Sequence, residues 1–319
     1  MACLVAAAGL SSCTSGSAAS PTGSTAYVAT LAGTADPGNT VAVVDTTTMT
    51  VRPSITTGTL PAALAMTPDG KHLLTANEGD DTVTEIDVAS GAVVGSTMVG
   101  LEPDAVAVAP NGASALVANF GTNTVTPVSL PSLRPGRPIA VGRQPVSIAI
   151  SPTGSLALVS NYEDGTVSPI DLSTMAAGPP VPVGAEPTAV WITPDSSTAL
   201  VALFQTGDVV PVTLATLATG PAIPVAGDPT GIAGTGTSMT AYVSGGASIT
   251  PVDLHARHAG SAIPVGTGAE DLAVAPGGTE AWVCGINGEL IRVDLATGRV
   301  DGAVHVGGRP SAVVIAPPP

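Results

Sequence analysis

The chain is short of charge, of aromatic rings and of histidine. Only 10% of its 319 residues are Asp, Glu, Lys or Arg, only 2% are Phe, Trp or Tyr, and there are four histidines. Nine Lys and Arg stand against 24 Asp and Glu, a formal charge of −15 that argues against a nucleic-acid partner. No run approaches the ~18 apolar residues a helix needs to cross a bilayer. What is plentiful is small and apolar: 44% of the residues are hydrophobic, with 38 glycines and 30 prolines as punctuation. That is enough apolar material for a core, in a chain long enough for two ordinary domains or one large all-β domain.

Met1 to Cys13 reads MACLVAAAGLSSC, an apolar run closed by small residues and a cysteine, and 14–24 are small and polar without periodicity. Leu10-Ser11-Ser12-Cys13 resembles the lipobox of a bacterial lipoprotein signal. The resemblance implies removal of 1–12, acylation of the Cys13 sulfur and a flexible tether over 13–24, which would hold the protein outside the cytoplasm by lipid alone. A frayed N-terminus with an incidental cysteine is the other reading. Under the lipoprotein reading Cys3 goes with the signal and Cys13 carries lipid, so Cys284, inside the apolar run AWVCG, is the one cysteine left, and alone it forms neither an internal disulfide nor a structural zinc site. It reads as a small core residue.

The remainder repeats. Glycines recur at 58, 100, 142, 184, 227, 266 and 307, and a proline follows most of them at 61, 103, 145, 187, 229 and 310. Each unit then shows an apolar run such as DAVAVAP (104–110), a turn such as Pro68-Asp69-Gly70, and a second run such as ALVAN (115–119). A third run of the type TVTPVSL and a short proline-rich fourth complete it. Four such runs between Gly, Pro, Asn and Asp turns describe a four-stranded antiparallel sheet whose fourth strand is an edge, where proline is tolerated. Six units are complete, 25–58 lacks a first strand, and Arg309 to Ala316 is a first strand without a unit. Joined, the two halves make a seventh blade that closes a ring and removes its open edge. The expectation is an all-β, seven-bladed β-propeller over 25–319, closed by pairing the C-terminal strand with the N-terminal blade and acting as a monomer.

The YVAT run (27–30), the PDG turn, the NTV-type third strand and the P-V-G close are similar to those of the YVTN-repeat β-propellers of bacterial and archaeal secreted and surface proteins. The likeness spans 25–316. It implies the fold and leaves the function open, since propellers serve as binders, hydrolases, lyases and redox enzymes.

With the first strand innermost, second-to-third turns and blade-to-blade connections share one face, called upper below, and the other turns share the lower face. Thirteen acids fall on the upper one: Glu78, Asp80, Asp81, Glu102, Asp104, Glu163, Asp164, Glu186, Asp208, Asp228, Glu270, Asp271 and Glu289, against Arg143 and Arg309. Either this is an acidic funnel for cationic ligands, or it is where charge ordinarily belongs. Phe120, Tyr162 and Phe204 lie 42 residues apart on consecutive blades, forming either a stacking shelf or a cover for the seams between blades. Trp191 stands where other units carry Ala65, Ala107, Ala149 and Ala233, and either enters the central channel or displaces its neighbours.

No histidine maps to the upper face, which removes the usual general base there and most transition-metal ligand sets. His255-x-x-His258 reads as a solvated loop rather than a metal grip, and the Asn77–Asp81 segment as a turn rather than a calcium loop. No cofactor is expected. The favoured function is a non-catalytic surface binder of a peptide, glycan or protein, with Phe120, Tyr162, Phe204, Trp191, Arg143, Glu102, Glu186 and Asp228 as candidate ligand-binding residues. The alternative is a lactonase- or lyase-like enzyme in which Glu102, Glu186 and Asp228 do acid–base work or hold a metal.

Overall fold

The computed structural model describes residues 24–31, 38–235 and 239–316. Cys13 and the segment around it lie outside the described residues. The described chain is all-β apart from one 3-10 turn at Glu78–Asp80. In the first blade the strands Pro61–Met66, His72–Asn77, Thr82–Asp87 and Ala92–Met98 pair antiparallel in chain order. The same arrangement recurs over 103–140, 145–182, 187–224, 229–264 and 269–305. First and second strands are buried along almost their whole length, because a neighbouring blade covers each sheet face. That two-sided burial is why they read as continuous apolar runs such as ALVAN instead of alternating patterns.

The seventh blade is built from both ends of the chain. Arg309–Ile315 is its innermost strand and pairs with Thr25–Leu31, which pairs in turn with Thr40–Asp45 and Thr50–Thr56. Tyr27 lies opposite Val314, and Leu31 opposite Arg309. Each first strand packs on the next, and Arg309–Ile315 packs on Pro61–Met66, so the ring closes as the half-units predict. The antiparallel register brings Thr25 and Ile315 together on the lower face, where the Ala316 amide donates to the Thr25 carbonyl at 2.8 Å.

Hydroxyls join the hub strands across the seams. Thr188, Thr230 and Ser311 each donate to a carbonyl at the start of the next first strand: Pro229, Ala269 and Pro61, all at 2.8 Å. One residue further along, Ser147 Oγ accepts the Val190 amide at 3.1 Å. Asp271 occupies the same position three seams further on, its Oδ2 accepting the Val313 amide at 3.0 Å.

The fourth strand departs from expectation in four blades. It splits into two-residue pieces, as at Arg134–Pro135 and Ile139–Ala140. The cause lies in the strand beside it, where Pro127, Pro169, Pro211 and Pro251 occupy the middle of the third strand. Each has no N–H to offer outward, and its carbonyl instead accepts from Gly136, Gly178, Gly220 or Gly260 at 2.7–2.8 Å. Where the third strand carries Val43, Glu85 or Arg292, the fourth runs unbroken for seven residues. Proline on the edge is therefore only part of the reason; proline one strand inward decides the break.

Candidate functional site

The upper face is assembled by one repeated backbone device. The residue before the first-strand proline takes a left-handed conformation, with φ of 51° at Leu60, 50° at Glu102, 55° at Gln144 and 52° at Glu186. Its carbonyl accepts the amide of the residue that follows the second strand: Glu78, Phe120, Tyr162 and Phe204 respectively, at 2.9–3.0 Å. Non-glycine residues adopt this region at a cost of about 1 kcal/mol each, which the amide bond offsets. Glu102 is thereby held beside Phe120, Gln144 beside Tyr162, and Glu186 beside Phe204.

The three aromatics end up half-buried, but only two share an apolar site. Phe120 and Tyr162 both pack on Val146, which is 2% exposed in the first strand of the third blade. Phe120 reaches it across a seam and Tyr162 from within its own blade. For Phe204 the corresponding positions are Thr188 and Thr230, whose hydroxyls are turned to hub carbonyls, so the apolar cluster stops one blade short. The rings of Phe120 and Tyr162 thus cover a seam and leave part of their surface to solvent. Leu101, 53% exposed, adds apolar surface on the loop that pairs with Gly121.

Many of the upper-face acids serve the backbone. Asp80 accepts the Thr59 amide at 2.6 Å, and Asp81 accepts the Glu102 amide at 2.8 Å. Arg143 is taken up by its own blade, its Nε 2.6 Å from Asp164 and its Nη1 2.8 Å from Glu163. The Arg143 amide also donates to Asp164, and these bonds hold the Asp164 carboxyl below its ordinary range. Glu270 pairs with Arg309, while Asp104 and Asp271 are 3% and 1% exposed. Glu102 and Asp228 are exposed and Glu186 half-buried, each on a separate blade-to-blade connection. Burial pushes the Glu78 carboxyl up, and the nearby Glu102 charge adds to the rise.

Trp191 does not enter the channel. It is 5% exposed within the apolar seam between the fourth and fifth blades. Gly234 makes the room: a Cβ there would lie 2.5 Å from the Trp191 ring. Gly234 stands where the other first strands carry Met66, Val108, Ile150, Ile192, Val274 and Ile315, so in this seam the large and small partners are exchanged. Trp191 is accordingly removed from the ligand-binding candidates.

One cluster has no precedent in the sequence reading. On the lower face His72 Nδ1 lies 3.0 Å from Oε1 of the buried Glu85. Its signal was present in the repeat: Glu85 replaces the third-strand proline of four sister blades.

No family model matches the chain, and no curated protein matches it. Among solved structures it is similar to a chain of hydrazine synthase from Kuenenia stuttgartiensis, with a TM-score of 0.74 at 19% identity over 85% of this chain and 92% of that one. It is also similar to a functionally unknown protein from Desulfotomaculum acetoxidans DSM 771, with a TM-score of 0.80 at 17% identity over 93% of this chain and 99% of that one. At such identities the likeness shows the seven-bladed fold and nothing finer.

Proposed function

We propose that this β-propeller, of the YVTN-repeat kind, is a non-catalytic binder held outside the cytoplasm by lipid on Cys13. Its upper face takes a cationic, partly apolar segment of a partner protein or peptide. The observation that carries this reading is the pair of half-buried rings, Phe120 and Tyr162, seated on the buried Val146 and set beside Glu102 and the Glu163–Arg143 pair. Aromatic rings with one side anchored and a carboxylate rim suit Lys- or Arg-bearing apolar segments.

Selection of a random peptide library on the immobilised protein tests it. Enriched peptides are expected to carry Lys or Arg beside an apolar residue. Phe120→Ala with Tyr162→Ala should weaken their binding about 30-fold, as loss of a hot spot of ~2 kcal/mol does. The melting temperature should fall by no more than a few degrees, because both rings are half-exposed. Equal binding by the double variant overturns the assignment. So does a melting temperature lowered by about 10 °C or more, which would make the rings purely structural.

Anchoring has its own readout. Cells fed an alkynyl fatty acid should label the protein, and Cys13→Ala should abolish the label and release the chain from the membrane fraction. Retained label in that variant sinks the lipoprotein assignment.

A further inference from the structure

The lower face holds a cavity of about 310 Å³ in the seam between the first and second blades. Thr67, Asp69, His72 and Glu85 line it from the first blade, and Leu130 and Pro131 from the second. The first-blade wall carries both carboxylates, the second-blade wall sets Leu130 and Pro131 beside Asn111 and Gly112, and no Lys or Arg is among the lining residues.

Glu85 is the decisive group. Its side chain is 2% exposed, and it projects from the middle of a third strand where four sister blades carry proline. Oε1 lies 3.0 Å from His72 Nδ1, and that nitrogen makes no hydrogen bond among the described residues. Oε2 is buried and makes no hydrogen bond among the described residues. A buried carboxylate oxygen and a buried ring nitrogen thus border the same cavity, both without hydrogen-bond partners. Leaving such groups unsatisfied is costly, more so when charged. Burial pushes the Glu85 carboxyl up, with His72 opposing. Asp69 differs: Thr67 Oγ1 donates to it at 2.7 Å and the Lys71 amide at 3.1 Å, which holds its carboxyl down and ionised.

We propose that this cavity binds a small organic cation with N–H donors, an alkylammonium or guanidinium group. Its N–H groups donate to Glu85 Oε2, and its hydrocarbon part lies against Leu130 and Pro131. Glu85 and Asp69 both border the cavity, while Lys71, whose Nζ lies 4.0 Å from Asp69 Oδ2, is 74% exposed and outside the lining, so the site favours positive charge over negative. A metal ion suits the site less well, since no three His, Cys, Asp or Glu side chains among the described residues are grouped to hold one. A directional N–H donor also satisfies Oε2 with a charge-assisted bond.

The test follows the His72 ring signals by NMR in the whole protein; with four histidines the spectrum is sparse, and His72→Gln identifies the signal. n-Butylammonium chloride is titrated in, and sodium butyrate is titrated at the same ionic strength as the anionic match. The expected result is a saturable shift with butylammonium, with a Kd of about 1 mM or lower, and none with butyrate. Glu85→Gln should weaken butylammonium at least 10-fold, the loss of one charge-assisted hydrogen bond. A linear, unsaturating shift, an equal response to butyrate, or unchanged affinity in Glu85→Gln overturns the proposal and leaves the cavity holding water only. Should Glu85→Gln fail to fold, the comparison of the two ions on the natural chain decides the matter alone.

Discussion

Gly234→Val is expected to destabilise the protein by about 3 kcal/mol, at the upper end for an overpacked core. Valine is what a sister strand carries at this position, as Val108 does, so neither strand propensity nor the repeat forbids it. The obstacle is Trp191 one blade away, whose ring atoms lie 2.5, 2.9 and 3.1 Å from where the new Cβ would sit. An indole packed among Ala189, Leu200, Ala202, Ile232 and Val243 has little freedom to retreat. Trp191→Ala alone should also be costly, about 3–5 kcal/mol, because it leaves a ring-sized void. The double variant restores the alanine-facing-valine arrangement of a sister seam and should recover most of the loss. Urea unfolding of the four proteins measures this as a coupling above about 2 kcal/mol. Additive losses would show that the two residues do not share the seam as described.

Asp271→Ser should stabilise the protein, by on the order of 2 kcal/mol at neutral pH. Asp271 is buried in the hub; Oδ2 accepts the Val313 amide, while Oδ1 makes no hydrogen bond among the described residues. Burial pushes its carboxyl well above the ordinary range, against the pull of the Val313 and Leu272 amides. Ser147 shows that a hydroxyl at the equivalent position accepts the same amide without carrying charge. The folded state holds the Asp271 proton more tightly than the unfolded chain does. This group's contribution is therefore fully present below the unfolded carboxyl's pKa of about 4, and it is lost as pH rises through the folded value. The serine variant removes that loss. Its advantage over the natural chain should be small near pH 4 and largest above neutrality, as read by urea midpoints at both. A gain independent of pH, or none, would rule out the buried charge as the cause.

The ring was legible because every blade repeats the same grammar of glycine, proline and apolar run, and because the two leftover pieces were complementary. Side-chain destinations were less so. Trp191 marked itself as an exception, but its direction depended on Gly234, 43 residues away on another sheet. Spacing set Phe120, Tyr162 and Phe204 on consecutive loops. It could not show that Val146 joins the first two while Thr188 and Thr230 leave the third aside. In sequence the thirteen upper-face acids read as either a field of charge or ordinary loop charge, and Asp80, Asp81 and Asp164 turn carboxylates onto backbone amides. Glu85 is not legible from sequence alone, because a single departure within a repeating strand looks like drift until the fold sets it against His72.

Thr25 and Ile315 leave the wheel side by side on its underside. With the proposed anchor at Cys13, which precedes Thr25 in the chain, attachment would come from that underside, the side of His72 and opposite to Phe120 and Tyr162.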